Sequence, residues 1–162
     1  MNKLYFAKLK EDVIIPSKED YNAGYDIYAN FEEDEIIIKA HETKMIPTGI
    51  MSAFSDIYVV VLHERGSTGS KGIGQRCGVV DASYRGEWFV PLTNHNNKRL
   101  IISKNVDKTV ETINEVVYPY SKAICQALLI EVPKVEVVEI TPEELKGIKS
   151  ERGEGKLGSS GK

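Results

Sequence analysis

The amino-acid sequence predicts an all-β fold, which could be a β-sandwich, a jelly roll or a barrel. Three observations support this prediction: the apolar segments are short, several are rich in Val and Ile, and turn-forming residues separate them at regular intervals. Helical periodicity is weak by comparison. The chain has 162 residues, of which 41% are hydrophobic, and this is enough for one domain with its own core.

The predicted strands follow one another along the chain with short connections. A run of period 2 begins at Leu4, and residues 57–63 (IYVVVLH) are the strongest strand candidate. The segment 44–50 contains a turn at Pro47, Thr48 and Gly49. The complete set of predicted strands covers residues 4–8, 35–39, 44–50, 57–63, 87–92, 99–103, 116–118, 123–131 and 135–140.

One short helix is predicted close to the end of the chain. Thr141 suits the N-cap position and Pro142 the first helical position, and two acidic residues follow them. The helix should end near Gly147. Residues 106–116 (VDKTVETINEV) fit either a short helix or a β-hairpin.

Composition and charge argue against several classes of protein. The formal net charge is −3, whereas a protein that coats nucleic acid is usually basic, so direct nucleic-acid binding is not expected. Residues 1–15 lack the continuous apolar region of a signal peptide, and no segment reaches the ~18 apolar residues of a membrane span. We therefore expect a cytoplasmic protein with no membrane partner.

The cysteines and histidines do not suggest a metal centre. Cys77 and Cys125 are far apart in sequence, so they indicate neither a disulfide framework nor a zinc site. His41, His63 and His95 are isolated and match no ligand spacing.

Four segments could carry chemistry. Residues 23–29 (AGYDIYA) place an acid, Asp26, in a turn of small residues, and residues 64–72 (ERGSTGSKG) combine Gly and Ser with Arg65 and Lys71, a pattern suited to binding an anion. Residues 78–87 (GVVDASYRGE) have the pattern of a β-hairpin that carries Asp81 and Tyr84. After residue 150 the chain becomes rich in glycine and cationic residues, which is typical of a flexible terminus.

Together with residues 123–130 (AICQALLI), these segments resemble, in order, the five motifs of the trimeric dUTP pyrophosphatase (dUTPase) family. The third segment, GVVDASYRGE, is the most specific, and residues 152–161 (RGEGKLGSSG) correspond to the fifth motif. The resemblance implies a distorted jelly-roll or β-clip barrel of the dUTPase type, assembled as a homotrimer with shared active sites. It also implies that dUTP, with Mg²⁺ on its triphosphate, is hydrolysed to dUMP and pyrophosphate. That reaction limits uracil incorporation into DNA and supplies dUMP for dTMP synthesis.

The resemblance also assigns roles to individual residues. Asp81 would position the water that attacks the α-phosphorus, and Tyr84 would pack on the deoxyribose and exclude a 2′-hydroxyl. Asp26 and Gln126 would contact Mg²⁺ indirectly, through water. The residues expected to bind the substrate are Arg65, Gly66, Ser67, Gln75, Gly78, Val79, Val80, Tyr84, Phe89, Gln126, Arg152, Leu157, Gly158 and Ser159.

The resemblance divides the chain into a β domain, residues 1–150, and a glycine-rich arm, residues 151–162, that closes over the active site. The chain departs from the family pattern at Gly66, where serine is usual, at Leu157, where an aromatic residue is usual, and at Lys156, which replaces a glycine. Residues 104–120 are predicted to be an insertion, most simply a solvated loop.

Two alternative functions remain open at this point. The related dCTP deaminases require a glutamate five residues after the glycine of the third motif, but this chain has Pro91 there, and proline cannot transfer a proton. A regulatory protein that binds a nucleotide on the same scaffold is the other alternative. The dUTPase assignment requires that a structure place the Asp81 side chain near the glycine- and serine-rich loop that begins at Arg65.

Overall fold

The structure is a computed structural model that describes residues 3–76, 78–105 and 112–155. The described residues form twelve β-strands and two short helices. The strands are β1 (Tyr5–Lys8), β2 (Tyr25–Ile27), β3 (Glu35–Ile38), β4 (Thr43–Pro47), β5 (Ile50–Ala53), β6 (Tyr58–His63), β7 (Ile73–Gln75), β8 (Val79–Val80), β9 (Phe89–Asn94), β10 (Arg99–Ser103), β11 (Glu115–Pro119) and β12 (Cys125–Glu131), and the helices are α1 (Gly66–Gly69) and α2 (Pro142–Gly147). The predicted all-β fold class is confirmed.

The strands form four small sheets. Their orders are β2-β12-β6-β8, β4-β9-β7, β11-β10-β3 and β1-β5. All pairs of strands are antiparallel except β10 and β11, which are parallel. The first sheet matters most for the site, because its register places Gln126 opposite both Asp26 of β2 and His63 of β6.

A single apolar core lies between the sheets. Its largest fully buried side chains include Trp88, Tyr118, Ile27 and Ile38. Trp88 packs edge-on against Phe6, and its indole N–H donates a hydrogen bond to the Ser52 hydroxyl at 3.1 Å, so the one polar atom of the buried ring has a partner. Each fully buried Ile or Leu stabilises the fold by about 1.5–3 kcal/mol, and the core therefore fixes the strand ends from which the site is built.

The chain divides into two compact units, Met1–Val132 and Pro133–Lys162. The second unit contains α2, which begins as predicted. The Thr141 hydroxyl accepts the Glu144 backbone N–H at 3.2 Å, and a Glu144 carboxylate oxygen accepts the Thr141 backbone N–H at 2.7 Å. Pro142 occupies the first turn, and the helix ends at Gly147. Neither helix in the described ranges is long and apolar enough to cross a membrane.

Two predictions about local structure are wrong. Residues 135–140 do not form a strand: Val135, Val137 and Val138 are exposed, and no strand of the described chain pairs with them. The 78–87 segment is not a β-hairpin, because β8 pairs with β6 while β9 pairs with β4 and β7, so residues 81–88 connect two different sheets. Helix α1 was not predicted. Of the predicted insertion, residues 106–111 lie outside the described residues, and residues 115–119 form β11.

Candidate active site

A bidentate ion pair connects the first and second motif segments. Strand β2 carries Asp26, and Arg65 follows the end of β6. The Arg65 Nε lies 2.9 Å from Asp26 Oδ1, and Nη2 donates to Oδ2 at 3.1 Å. Both side chains are about one-third exposed. The pair holds the guanidinium in a fixed plane at the surface, a geometry that suits recognition of a second oxyanion.

The backbone of the Arg65 loop is fixed by a residue that the sequence analysis did not identify. Thr68 is buried, and its hydroxyl accepts the Arg65 backbone N–H and donates to the Arg65 carbonyl, both at 3.0 Å. A Ser or Thr three residues after a candidate loop residue is the only sequence signal for this arrangement. At Gly66, by contrast, an added Cβ would have no atom within 4 Å. A serine side chain would therefore fit at this position, and steric hindrance does not explain why glycine replaces the serine that is usual in the family.

Gln126 lies beside the ion pair. Its side-chain Nε2 donates to the Glu64 carbonyl at 2.8 Å. Its Oε1 faces Gly24, where a Cβ would approach that oxygen to 2.6 Å. Glycine at residue 24 therefore leaves room for the amide oxygen of Gln126.

These side chains line a cleft of about 890 Å³. The predicted site residues contribute the guanidinium of Arg65, the carboxylate of Asp26, the amide of Gln126 and the hydroxyl of Ser67 to this cleft. A cleft with these groups is more polar than a pocket that binds an apolar ligand. Four of its residues, on the loop before β2, were missed by the sequence analysis because no motif contains them. The lining residues are Ser17, Lys18, Glu19, Asn22, Ala23, Gly24, Asp26, Tyr28, Arg65, Gly66, Ser67, Gln126 and Leu128.

The donor atoms of the cleft fit a hydrated Mg²⁺ better than a directly bound one. Carboxylate and amide oxygens, such as those of Asp26 and Gln126, are hard ligands, but Asp26 already pairs with Arg65. Among the described residues, no group of three or more His, Cys, Asp or Glu side chains is arranged to hold a metal ion. Mg²⁺ keeps several water ligands in most protein sites, so contacts through water are consistent with this cleft.

The third motif segment lies along β6. Gly78 accepts a hydrogen bond from the Leu62 backbone N–H at 2.6 Å, and a Cβ at residue 78 would lie 2.6 Å from the Leu62 carbonyl oxygen. Only glycine fits so close to another backbone. Val80 then pairs with Val60, and Val79, which is 67% exposed, pairs with Val61.

The turn after β8 displays Asp81 and Tyr84 to solvent. The Tyr84 backbone N–H donates to the Asp81 carbonyl at 3.0 Å, and the Tyr84 hydroxyl donates to the Glu87 carbonyl at 2.9 Å. The Tyr84 ring lies against Gly86, where a Cβ would come within 2.4 Å of the phenolic oxygen. The exposed fraction is 45% for Tyr84 and 40% for Phe89, the first residue of β9. The turn therefore presents a carboxylate and two aromatic surfaces on the outside of the chain.

Within one chain the structure does not bring the two regions together. Asp81 follows the pairing of Val80 with Val60, near the start of β6, whereas Arg65 follows its other end. The part of β6 from Val60 to His63 spans about 10 Å at a rise of about 3.3 Å per residue, so Asp81 and Arg65 lie toward opposite ends of this strand. The expectation that Asp81 lies near the Arg65 loop is therefore not met inside a single chain.

The remaining predicted residues have different positions. The Gln75 backbone N–H in β7 donates to Glu64 Oε1 at 3.0 Å. Arg152 belongs to the second unit, where its Nε donates to the Gly155 carbonyl at 3.1 Å. Leu157, Gly158 and Ser159, together with Lys156, lie outside the described residues.

Comparison with known proteins identifies the family. Residues 10–107 match the family model for dUTPase. The chain belongs to the dUTPase family. It is 32% identical to the deoxyuridine 5′-triphosphate nucleotidohydrolase of Nautilia profundicola, with 99% of each chain covered, and 31% identical to that of Fusobacterium nucleatum, with 100% of each covered.

The dUTPase fold is also shared with solved structures of low sequence identity. The dUTPase of Staphylococcus bacteriophage 80alpha with dUPNHPP has a TM-score of 0.73 and 23% identity, and the alignment covers 100% of both chains. EIAV dUTPase has a TM-score of 0.64 and 18% identity over 86% of this chain. The predicted dUTPase type of jelly roll is therefore confirmed, and the first three dUTPase motif segments lie inside the range that matches the family model.

Proposed function

We propose that this protein is a dUTP diphosphatase that hydrolyses dUTP to dUMP and pyrophosphate. The observation that carries the proposal is family membership over the full length of the chain: relatives covered to 99–100% are deoxyuridine 5′-triphosphate nucleotidohydrolases. The cleft around Arg65 supplies a fixed guanidinium for a phosphate chain, and the turn at Asp81 supplies an exposed carboxylate for a water molecule.

In the proposed reaction, Asp81 holds a water molecule in line with the bond that breaks. The water oxygen bonds to the α-phosphorus, the bond from that phosphorus to the bridging oxygen breaks, and pyrophosphate leaves with the bonding electrons. Asp81 accepts the proton of the attacking water. Arg65 and Ser67 would bind phosphate oxygens. The Tyr84 ring would pack on the deoxyribose and leave no space for a 2′-hydroxyl.

We propose Mg²⁺ as the metal cofactor. Asp26 and Gln126 would hold it through its water ligands, as their position in the cleft allows. When bound, Mg²⁺ offsets the negative charge of the phosphate oxygens.

We propose that the active site is shared between copies of the chain in a homotrimer. The position of Asp81 and Arg65 toward opposite ends of β6 supports this arrangement. Each cleft would then receive the 78–89 segment of another copy. This segment would bring Gly78, Val79, Val80, Tyr84 and Phe89 to the base and sugar.

We also propose that residues 151–162 act as an arm that closes over the bound nucleotide, with Arg152 contacting the phosphates. Closure would exclude water and strengthen the charge contacts of the site. Deletion of residues 152–162 should lower kcat strongly and leave the oligomeric state in gel filtration unchanged. A deleted variant with full activity would show that the arm is dispensable.

The test of the function is an assay of pyrophosphate release from dUTP, dCTP, dTTP and UTP, with and without Mg²⁺. We expect turnover of dUTP only, and only with Mg²⁺. Asp81→Asn should abolish pyrophosphate release and leave dUTP binding intact, because the amide cannot accept the proton of the water. Binding of dUTP by the wild-type protein without any turnover would instead indicate a regulatory protein.

The same assay addresses deamination. Pro91, which stands where dCTP deaminases need a glutamate, is buried in β9 and pairs with Met45 of β4. It has no group that can transfer a proton. We therefore expect no ammonia from dCTP.

A further inference from the structure

We propose that Glu64 is a positioning residue of the phosphate-binding loop, which holds Arg65 and Gln126 in place without contacting the substrate. The proposal rests on the proposed function, because it concerns the same active site. Glu64 lies between β6 and α1, immediately before Arg65, and although it is the first residue of the second motif segment, the resemblance assigns it no role.

Glu64 connects three segments of the site. Its carboxylate Oε1 accepts the Gln75 backbone N–H from β7 at 3.0 Å. Its carbonyl accepts the Gln126 side-chain N–H from β12 at 2.8 Å. Because β7 and β12 belong to different sheets, one residue anchors the start of the Arg65 loop to both.

Backbone hydrogen bonds, and not a cation of the cleft, stabilise the negative charge of the Glu64 carboxylate. Hydrogen bonds from its own N–H and from the Gln75 N–H lower the pKa of the carboxyl group, and His63 and His95 lower it further. Its carboxylate thus accepts hydrogen bonds from backbone N–H groups, while Arg65 pairs with the carboxylate of Asp26. An anion adjacent to a phosphate site is tolerated here because it has other partners.

Loss of the Glu64 carboxylate should displace the loop that carries Arg65 and leave strand β7 in place. Strand β7 remains paired with β9, with Gln75 opposite Leu92, whatever the side chain at residue 64. The loop that carries Arg65 would lose its anchor to β7. Because Arg65 and Gln126 belong to the phosphate half of the proposed site, the effect should fall on triphosphate binding and not on the nucleoside.

The experiment compares Glu64→Ala, Glu64→Gln and the control Glu33→Ala, which removes an exposed carboxylate in the turn before β3. For each variant, kcat and KM for dUTP are measured, together with inhibition constants for deoxyuridine and for a dUTP analogue with nitrogen between the α- and β-phosphorus atoms. Circular dichroism and thermal unfolding report whether each variant is folded.

For Glu64→Ala we expect the affinity for the triphosphate analogue to fall about tenfold, the size of a lost hydrogen bond to a charged group. The inhibition constant of deoxyuridine should change less than about twofold, within the error of such comparisons. Glu64→Gln should restore triphosphate binding, because its amide oxygen can accept the same Gln75 N–H. Glu33→Ala should match the wild type.

Three outcomes would overturn the proposal: a Glu64→Ala protein with unchanged triphosphate affinity, an equal loss for both inhibitors, or no rescue by Glu64→Gln. If Glu64→Ala does not fold, Glu64→Asp replaces it. That variant keeps the charge but is too short to reach Gln75, so it should bind the triphosphate analogue less tightly than Glu64→Gln, and the reverse order would overturn the proposal. A wild-type protein that does not hydrolyse dUTP refutes the proposed function and is detected before any variant is compared.

Discussion

In the proposed site, Tyr84 is the single side chain that would determine which sugar is accepted. Its hydroxyl is tied to the Glu87 carbonyl at 2.9 Å, and its ring lies on Gly86, yet the side chain is 45% exposed. An aromatic ring that is both fixed and exposed offers a rigid surface to a ligand. Rigidity matters here, because steric exclusion of the 2′-hydroxyl of a ribose requires a side chain that does not move aside.

Tyr84→Ala should reduce the preference for dUTP over UTP, because the wall that excludes the 2′-hydroxyl is removed. We expect the ratio of the two kcat/KM values to fall by about tenfold or more, in line with the discrimination that pocket contacts provide. Tyr84→Phe is the matched control: it loses only the hydrogen bond to the Glu87 carbonyl and keeps the ring. Unchanged selectivity in Tyr84→Ala would reject the role of this residue.

Much of the candidate site was predictable at the residue scale, but not all of it. The motifs identified Asp26, Arg65 and Gln126, and the structure brings these three into one cleft. Glu64 and Thr68 lie inside the second motif segment, but their roles were not predicted, because these depend on hydrogen bonds with backbone groups that the motif does not report. The loop residues Ser17 to Asn22 were missed because they reach the cleft through the backbone bond from Asp26 N–H to the Ser17 carbonyl at 2.9 Å.

At the scale of elements, the very short helix α1 is stabilised by hydrogen bonds to Arg65, the residue that precedes it in the candidate site. It has only four residues, and isolated helices of this length do not form in water. The buried hydroxyl of Thr68 bonds to both backbone groups of Arg65 and so closes the turn. The Thr68 hydroxyl therefore supports the Arg65 loop together with the backbone hydrogen bonds of α1 and the contact of Glu64 with β7.

Thr68→Val should destabilise the protein, because it keeps the shape of the side chain and leaves the Arg65 backbone N–H without its acceptor. The expected loss in the free energy of unfolding is about 1–3 kcal/mol, measured by urea denaturation. Thr68→Ser retains the hydroxyl and should lose less stability than Thr68→Val, since only a methyl group is removed. If the valine variant were the more stable of the two, the hydroxyl would not be what holds the loop.

Elements were predicted well where the pattern is local and poorly where it depends on distant partners. The strongest strand candidate, residues 57–63, is β6, and the capping residues of α2 were placed correctly. The predicted strand at 135–140 fails although it is rich in valine, because a strand needs a neighbour and the described chain provides none there. The 78–87 segment has the turn pattern of a hairpin, but β8 pairs with β6 and the chain then continues into β9, which belongs to a different sheet.

For the whole molecule, the central observation is that one chain contains two incomplete halves of the proposed site. The cleft holds Asp26, Arg65 and Gln126, while Asp81 and Tyr84 lie on an exposed turn at the far end of β6. The sequence could indicate that both halves exist but not their separation, because motif order along a chain does not report distance in space. In the proposed site, where the two halves act together, activity would therefore require assembly of several copies of the chain.

Mixing two inactive variants tests this arrangement directly. Asp81→Asn keeps the cleft and loses the water-binding carboxylate, whereas Arg65→Ala keeps the carboxylate and loses the phosphate contact. If each active site takes its cleft from one copy and its turn from another, a trimer that contains both variants can include intact sites. Random assembly of equal amounts should make about one-quarter of the sites intact, since each half is unmodified in half of the copies.

The measurement is pyrophosphate release after the two variants are co-refolded or co-expressed, with each variant alone as the blank. Mixing either variant with the double variant, Asp81→Asn with Arg65→Ala in one chain, is the matched control. In those mixtures no site can combine an intact cleft with an intact turn, so no activity should return. If both halves of a site came from the same chain, the mixture of single variants would also be inactive, because every copy carries one defect. Recovery of about a quarter of the wild-type rate, the share expected for shared sites in a symmetric assembly, is therefore the result that the separation of Asp81 from Arg65 predicts.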